Sequence, residues 1–218
     1  MEHVNPVVHV IDDDMPTRQA LHRLLSGLGF DVRQYPSAGA FLLSWPADAP
    51  GCLLLDVRMP GPSGLDLQRA LMQRPDALPV VFLTGFGDIA MSVQAIKRGA
   101  VDFLTKPVQR EPLLAAVTAA LERDEARRAD DRRHDAVHKA FESLTTRERE
   151  VFAQVVAGRL NKQIAADLGA CERTVKAHRA HVMEKLHARS VADLVRIAVQ
   201  LQIPLATHAP ITGSSLQA

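Results

Sequence analysis

Short apolar runs alternate with longer amphipathic stretches through the first 120 residues of the chain. The short runs predict strands at Val7–Ile11, Asp31–Tyr35, Cys52–Asp56, Val80–Thr84 and Val101–Leu104. Between them a helical period predicts helices over Pro16–Leu28, Ala38–Trp45, Gly64–Gln73, Ala90–Arg98 and Pro112–Arg123, with Gly29, Gly51, Gly99 and several prolines as punctuation. Five β–α repeats of this length read as an α/β fold, a doubly wound parallel sheet covered by helices on both faces. Right-handed crossovers then give the strand order 2-1-3-4-5. In such a sheet a ligand site lies beyond the carboxyl ends of the strands, where the order reverses.

The pattern changes after this region. "ERDEARRADDRRHDAVHKAFE" (Glu122–Glu142) has no Pro or Gly and dense mixed charge, so it reads as a solvated helix with i,i+4 charge pairs. Val137 and Phe141 share one face of it, too few apolar positions to argue for a coiled coil. From Ser143 everything is helical. "TTRE" opens a capped helix running to Gly158, followed by Asn161–Gly169, Glu172–Leu186 and Ser190–Gln202. The Pro, Thr, Gly and Ser-rich end, residues 204–218, reads as a disordered tail.

Composition narrows the classes. The 218 residues suffice for two domains with cores of their own. No apolar run is long enough for a membrane span, and the N-terminus lacks the order of a signal peptide. Cys52 and Cys171 stand far apart, which suggests neither a disulfide framework nor a thiolate metal site and fits the cytoplasm. The net charge of +1 hides an asymmetry. Residues 1–123 carry 11 Lys and Arg against 13 Asp and Glu, whereas residues 143–218 carry 10 against 6, which points to a nucleic-acid partner at one end only.

The apolar runs end in chemistry. "VIDDD" places Asp12, Asp13 and Asp14 after the first strand, and Asp56 ends "CLLLD" on the neighbouring third. Thr84 ends the fourth, and Lys106 follows the fifth in "LTKP". All fall at one sheet edge. Carboxylates crowded at a partly buried site require a cation, and a hard divalent ion such as Mg²⁺ suits oxygen ligands. A carboxylate can also attack a phosphoryl group, with a metal and a lysine offsetting charge on the transferring oxygens. The Thr84 hydroxyl is placed to bond a phosphoryl oxygen, and Gly85 keeps that approach open and offers an N–H.

Residues 5–121 resemble the receiver domain of two-component response regulators, through "VIDDD", "LLLDVRMPGPSG", "FLTGFGD" and "GAVDFLTKP" in order and at the expected spacing. The resemblance implies that Asp56 is the phosphoacceptor and that Asp12, Asp13 and Asp56, with the backbone carbonyl of Arg58, hold Mg²⁺. It implies Thr84 and Lys106 as the switch pair, Phe103 as the rotating aromatic, and a cis Lys106–Pro107 bond. Asp14 is left as an outer or solvated residue. A phosphatase working through an aspartyl phosphate needs a second Asp two positions after the nucleophile; Arg58 stands there, so the chain is read as no enzyme.

"NKQIAADLGACERTVKAHRAHVMEKL" has the short helix, turn and longer helix of a helix-turn-helix, with Ile164, Ala165, Leu168, Val175 and Val182 inside. Arg173, Lys176, His178 and Arg179 fall near the start of the second helix, where base edges are read, and Lys162 at the first helix can hold a phosphate. Residues 143–203 resemble the LuxR-type four-helix DNA-binding domain, through "LTTRE.EV", "G..NK.IA..LG" and "TVK.H...V..KL". That resemblance implies Lys176 and Arg179 as base or phosphate contacts and Thr174, Lys162 and Arg173 on the backbone. His178 is open between DNA contact and helix packing. Ala180 and Cys171 depart from the pattern, the first lacking a basic side chain and the second a good cap. The whole looks like a FixJ/NarL-type regulator: a receiver (1–122), a charged helical linker (123–142), a DNA-binding domain (143–203) and a tail (204–218). The expected partners are a sensor histidine kinase, double-stranded promoter DNA, RNA polymerase and, on phosphorylation, a second copy of the chain, with no membrane involved.

Overall fold

The computed structural model describes residues 5–45, 49–85 and 89–204, with only the backbone of 89–91. The expected tail therefore lies outside the described residues from position 205 on, as does Phe86–Asp88 of one quoted motif. The chain forms two compact units, Met1–Ala129 and Asp130–Ala218.

In the first unit the elements run β1 (Val7–Ile11), α1 (Met15–Ser26), β2 (Asp31–Tyr35), α2 (Ala38–Leu43), β3 (Gly51–Asp56), α3 (Gly64–Leu71), β4 (Val80–Thr84), α4 (Ile89–Lys97), β5 (Asp102–Thr105) and the start of α5 (Arg110–Glu142). The five strands are parallel in the order β2-β1-β3-β4-β5. β3 lies at the centre of the order, and all six of its residues are buried. Because successive strand side chains point to opposite faces, β3 serves two cores at once. Leu53 and Leu55 join Ile11, Phe41, Leu67, Leu71 and Phe82 on one face. Cys52 and Leu54 join Leu21, Leu25, Val81 and the α5 residues Leu113, Val117 and Ala120 on the other. Fully burying each such aliphatic side chain contributes about 1.5–3 kcal/mol, so the apolar runs dictate both layers.

Local chemistry sets the helix ends. α1 begins one residue before the expected Pro16 because Asp14 caps it, accepting from the Thr17 backbone N–H at 2.9 Å and its hydroxyl at 2.5 Å. Asp14 is thereby a helix cap, and these bonds hold its carboxyl below the usual range. α2 stops at Leu43, short of the expected Trp45. The indole of Trp45 instead donates to Asp76 at 2.8 Å while Arg74 lies over its ring. β5 starts one residue later than expected, at Asp102.

α5 is one continuous helix of 33 residues, so the mixed-charge stretch prolongs the last helix of the first unit. Within the first unit Asp124 ties it to the sheet. This carboxylate is buried and accepts from the Gly51 N–H of β3 at 3.0 Å, and from Arg127 and Arg128 at 2.7 Å each. Those arginines also reach the carbonyls of Pro75 and Ala49.

The second unit packs the end of α5 with α6 (Thr146–Val156), α7 (Asn161–Asp167), α8 (Glu172–Lys185) and α9 (Val191–Gln200). Val151, Phe152, Ile164, Val175, Val182 and Leu194 form its core, and Phe141 sits edge-on to Phe152 at 5.2 Å. Thr145–Glu148 and Ser190–Asp193 are capping boxes. Glu148 also accepts from Lys185 at 2.6 Å, and that bond above all holds its carboxyl down to about 2. Among the described residues no helix is long and apolar enough to cross a membrane.

Candidate functional site

The carboxyl ends of β1, β3, β4 and β5 bring the charged residues together. Asp12 follows β1 and is fully buried, Asp56 ends β3 at 5 % exposure, and Asp13 is exposed. One carboxylate oxygen from each lies within 4.8 Å of the others. Lys106, after β5, bonds Asp12 at 2.5 Å and Asp56 at 2.7 Å. Asp12 also accepts from the Asp14 N–H at 2.9 Å, and Asp56 from the Arg58 N–H at 3.0 Å. Thr84 is buried at the end of β4, and the Lys106 N–H donates to its carbonyl at 2.6 Å. The Lys106–Pro107 bond is cis.

Electrostatics explain why this cluster is charged yet held together. Burial raises the Asp56 carboxyl above its usual range, a push that Lys106 moderates and the neighbouring Asp12 charge adds to. Burial alone would lower the Lys106 ammonium, but its bonds to Asp12 and Asp56 more than offset that and raise it. Three carboxylates against one ammonium leave the pocket anionic, and its donor set is all oxygen. Those two properties fit a hard divalent cation.

Two further residues shape the pocket. The Arg18 guanidinium donates to the backbone carbonyls of Asp12 at 2.6 Å and Asp13 at 2.9 Å, fixing the loop that carries the acids. Gly64 opens α3 directly beneath the end of β3: a Cβ there would lie 2.2 Å from the Asp56 carbonyl oxygen, so no side chain fits without moving Asp56. Gly85 differs, since a Cβ there would meet nothing within 4 Å among the described residues. Phe103 is half-buried and leans against Phe82, with ring centroids 6.0 Å apart.

In the helical unit, α7, a turn through Gly169 and α8 form the expected helix-turn-helix order. Arg173, Thr174, Lys176 and Ala180 are exposed on α8, and Lys162 is exposed in the first turn of α7. His178 is half-buried. Arg179 is also half-buried and donates to the Asn161 side chain at 3.1 Å, so it is held by α7 rather than loose in solvent. Cys171 opens α8 without a side-chain cap bond to the backbone; its sulfur lies 3.1 Å from the Thr174 hydroxyl.

A doubly wound sheet bearing an acidic pocket with a paired lysine, joined to a helix-turn-helix unit, defines a signal-receiving DNA-binding regulator. Residues 8–118 match the response regulator receiver domain, and residues 142–198 match the bacterial regulatory proteins of the luxR family. The chain is 47 % identical over 197 residues to nodulation protein W of Bradyrhizobium diazoefficiens, covering 90 % of this chain and 87 % of that protein. It is 46 % identical over 193 residues to the transcriptional regulatory protein FixJ of Azorhizobium caulinodans, covering 88 % and 91 %. Among solved structures, the response regulator StyR aligns with a TM-score of 0.80 at 43 % identity, over 90 % of this chain and 99 % of that one. Full-length FixJ from B. japonicum aligns with a TM-score of 0.54 at 37 % identity, over 91 % and 98 %. The chain belongs to the two-component response regulators of the FixJ/NarL type, with a receiver domain and a LuxR-type DNA-binding domain.

Proposed function

We propose that this chain is a phosphorylation-switched transcription factor of the cytoplasm, with Asp56 as its phosphoacceptor. The observation that carries the reading is the buried Asp56 carboxylate at the sheet edge, 2.7 Å from the Lys106 ammonium and grouped with Asp12 and Asp13. A sensor histidine kinase is the donor: an Asp56 oxygen attacks phosphorus, the P–N bond to the kinase histidine breaks, and that imidazole keeps the electron pair. Asp12, Asp13, Asp56 and the Arg58 backbone carbonyl would hold Mg²⁺, which supplies charge neutralisation for the phosphoryl oxygens. Lys106 then turns from the free carboxylate to the new phosphoryl group. Thr84 bonds one of its oxygens, Gly85 leaves room and an N–H, and Phe103 follows Thr84 inward. Arg58 stands where a phosphatase would need its acid, so the product of the reaction is a changed surface rather than turnover.

The surface that changes is α4, β5 and the start of α5, Ala90–Val117, which pairs two chains. On this reading residues 1–122 are the receiver, 123–142 the linker, 143–203 the DNA-binding domain and 204–218 a tail. Paired chains place two α8 helices in successive major grooves, about 34–36 Å apart, at a promoter served by RNA polymerase. Lys176 and Arg179 face bases or phosphates, with Lys162, Arg173 and Thr174 on the backbone and His178 at the edge of the contact. The test is promoter-DNA binding and molecular mass at fixed salt, with and without Mg²⁺ and acetyl phosphate. Wild type dimerises and tightens; Asp56→Asn does neither. An Asp56→Asn protein that gains mass and affinity like wild type would overturn the reading.

A further inference from the structure

A second concavity lies at the opposite end of β4 from the acidic pocket. It has a volume of about 610 Å³, within the 300–1,000 Å³ common for small-molecule sites. Its lining separates into two kinds of surface. Leu71, Met72, Ala77, Leu78 and Pro79, from α3 and the segment entering β4, make an apolar floor. Lys97, Arg98, Arg123 and Arg127, from α4 with its following turn and from α5, make a cationic rim, and no carboxylate among the described residues lines the cavity. Thr84 lies four residues along β4 from Val80, roughly 13 Å at the rise of a strand, so this is not the phosphoacceptor pocket.

The rim is built rather than incidental. Arg123 donates to the Gly99 carbonyl at 3.2 Å, and Arg127 to the Pro75 carbonyl at 3.2 Å while Asp124 holds its other nitrogen. Gln68, 3 % exposed, reaches from α3 to the carbonyls of Ala95 and Arg98, at 3.3 and 3.5 Å, and so sets the end of α4 over the floor. Its Oε1 is buried and meets no donor among the described residues. Asp124 balances part of the Arg127 charge. Lys97, Arg98 and Arg123 make no ion pair among the described residues. Positive potential over an apolar floor selects one chemistry, an anionic head on an apolar body.

We propose that this cavity is a binding site for a small amphipathic carboxylate, its apolar part on the Leu71–Leu78 floor and its carboxylate on the Lys97, Arg98 and Arg123 rim. Such a ligand bridges α3 and β4 to the end of α4 and to α5. Free aromatic acids and short fatty acids share this chemistry, so 2-naphthoate and octanoate are both used as probes, with inorganic phosphate as the head group alone.

The experiment titrates each probe into the isotope-labelled full chain and follows backbone amide shifts. Saturable binding of either acid is expected, with shifts concentrated at Ala77–Val80, Arg98–Gly99 and Arg123–Arg127. Lys97→Glu with Arg98→Glu should weaken it about tenfold or more, and Lys139→Glu should leave it unchanged. The exposed Lys97→Gln change alone, which threatens no buried contact, should weaken it roughly threefold. Three results would each overturn the proposal: no saturation below about 10 mM, far weaker than functional ligands; equal shifts from phosphate alone; or shifts insensitive to the rim variants.

Discussion

Replacing Asp124 by alanine removes the carboxylate that fastens α5 to the sheet, and its cost can be worked from its partners. The buried Gly51 N–H loses its acceptor, an unmet donor costing about 1–3 kcal/mol. Arg127 and Arg128 lose their shared anion, but at 28 % and 16 % side-chain exposure they recover part of that loss from water. The expected destabilisation of the first unit is about 3–4 kcal/mol, near the lower end for breaking a buried ion pair. At a urea slope of about 2 kcal/mol/M, that lowers the midpoint by about 1.5–2 M. The single tryptophan, Trp45, lies in this unit, so its fluorescence follows this transition and not that of the helical unit. Asp130→Ala, which removes an exposed pair with Arg133, should cost under about 0.5 kcal/mol and serves as the control. A double-mutant cycle with Arg128→Ala should give a coupling of about 1.5–2 kcal/mol. A midpoint shift for Asp124→Ala below about 0.5 M would refute this account of how the helix is held.

Three more outcomes follow from the geometry. Gly64→Ala must displace the Asp56 carbonyl, so it should slow labelling by acetyl phosphate about tenfold while costing about 2–3 kcal/mol; wild-type labelling would count against it. His9 is buried beside Tyr35 and Phe41, and burial, with a smaller push from Arg33, lowers its imidazole to about 4. Its folded pKa is depressed, so only the unfolded chain takes up the proton as pH falls from about 6.5 towards 4. Stability present above that window is lost within it, by up to about 3 kcal/mol, and His9→Phe should remove this component from urea titrations read by Trp45 fluorescence. In the helical unit, Asn161→Ala frees Arg179 and should weaken operator binding about threefold, against tenfold or more for Arg179→Ala, as read by fluorescence anisotropy at fixed salt; equal effects would mean Asn161 does more than orient it.

Much of this was legible in the sequence because it depends on chain order. Val7–Ile11 and Cys52–Asp56 are apolar runs whose burial forces them into the middle of a sheet, and parallel connections then bring their carboxyl ends side by side. That logic alone places Asp12 beside Asp56, and Lys106 at the same edge. What stayed hidden depends on close approach in three dimensions. Nothing in "PSG" says that the third residue passes beneath the Asp56 carbonyl, and nothing in "PTRQ" says that Arg18 folds back onto the Asp12 loop. Asp124 was one charge among many in a mixed-charge helix, distinguished only by the buried Gly51 N–H it meets. Asn161 read as a helix start, with no sign of Arg179 lying 18 residues on.

The three consecutive aspartates are alike in sequence and unalike in what replacement each would tolerate. Asp12 is enclosed and bonded to an ammonium, so an amide or a longer acid there would leave Lys106 mispaired. Asp13 sits in open solvent with its oxygen turned to the cluster, a position where glutamate can reach the same point with little strain. Asp14 does what serine, threonine or asparagine does equally well at the start of a helix. As such chains diverge, drift should therefore be steeply graded over three neighbouring codons: arrested at the first, narrow at the second, and free among small polar residues at the third.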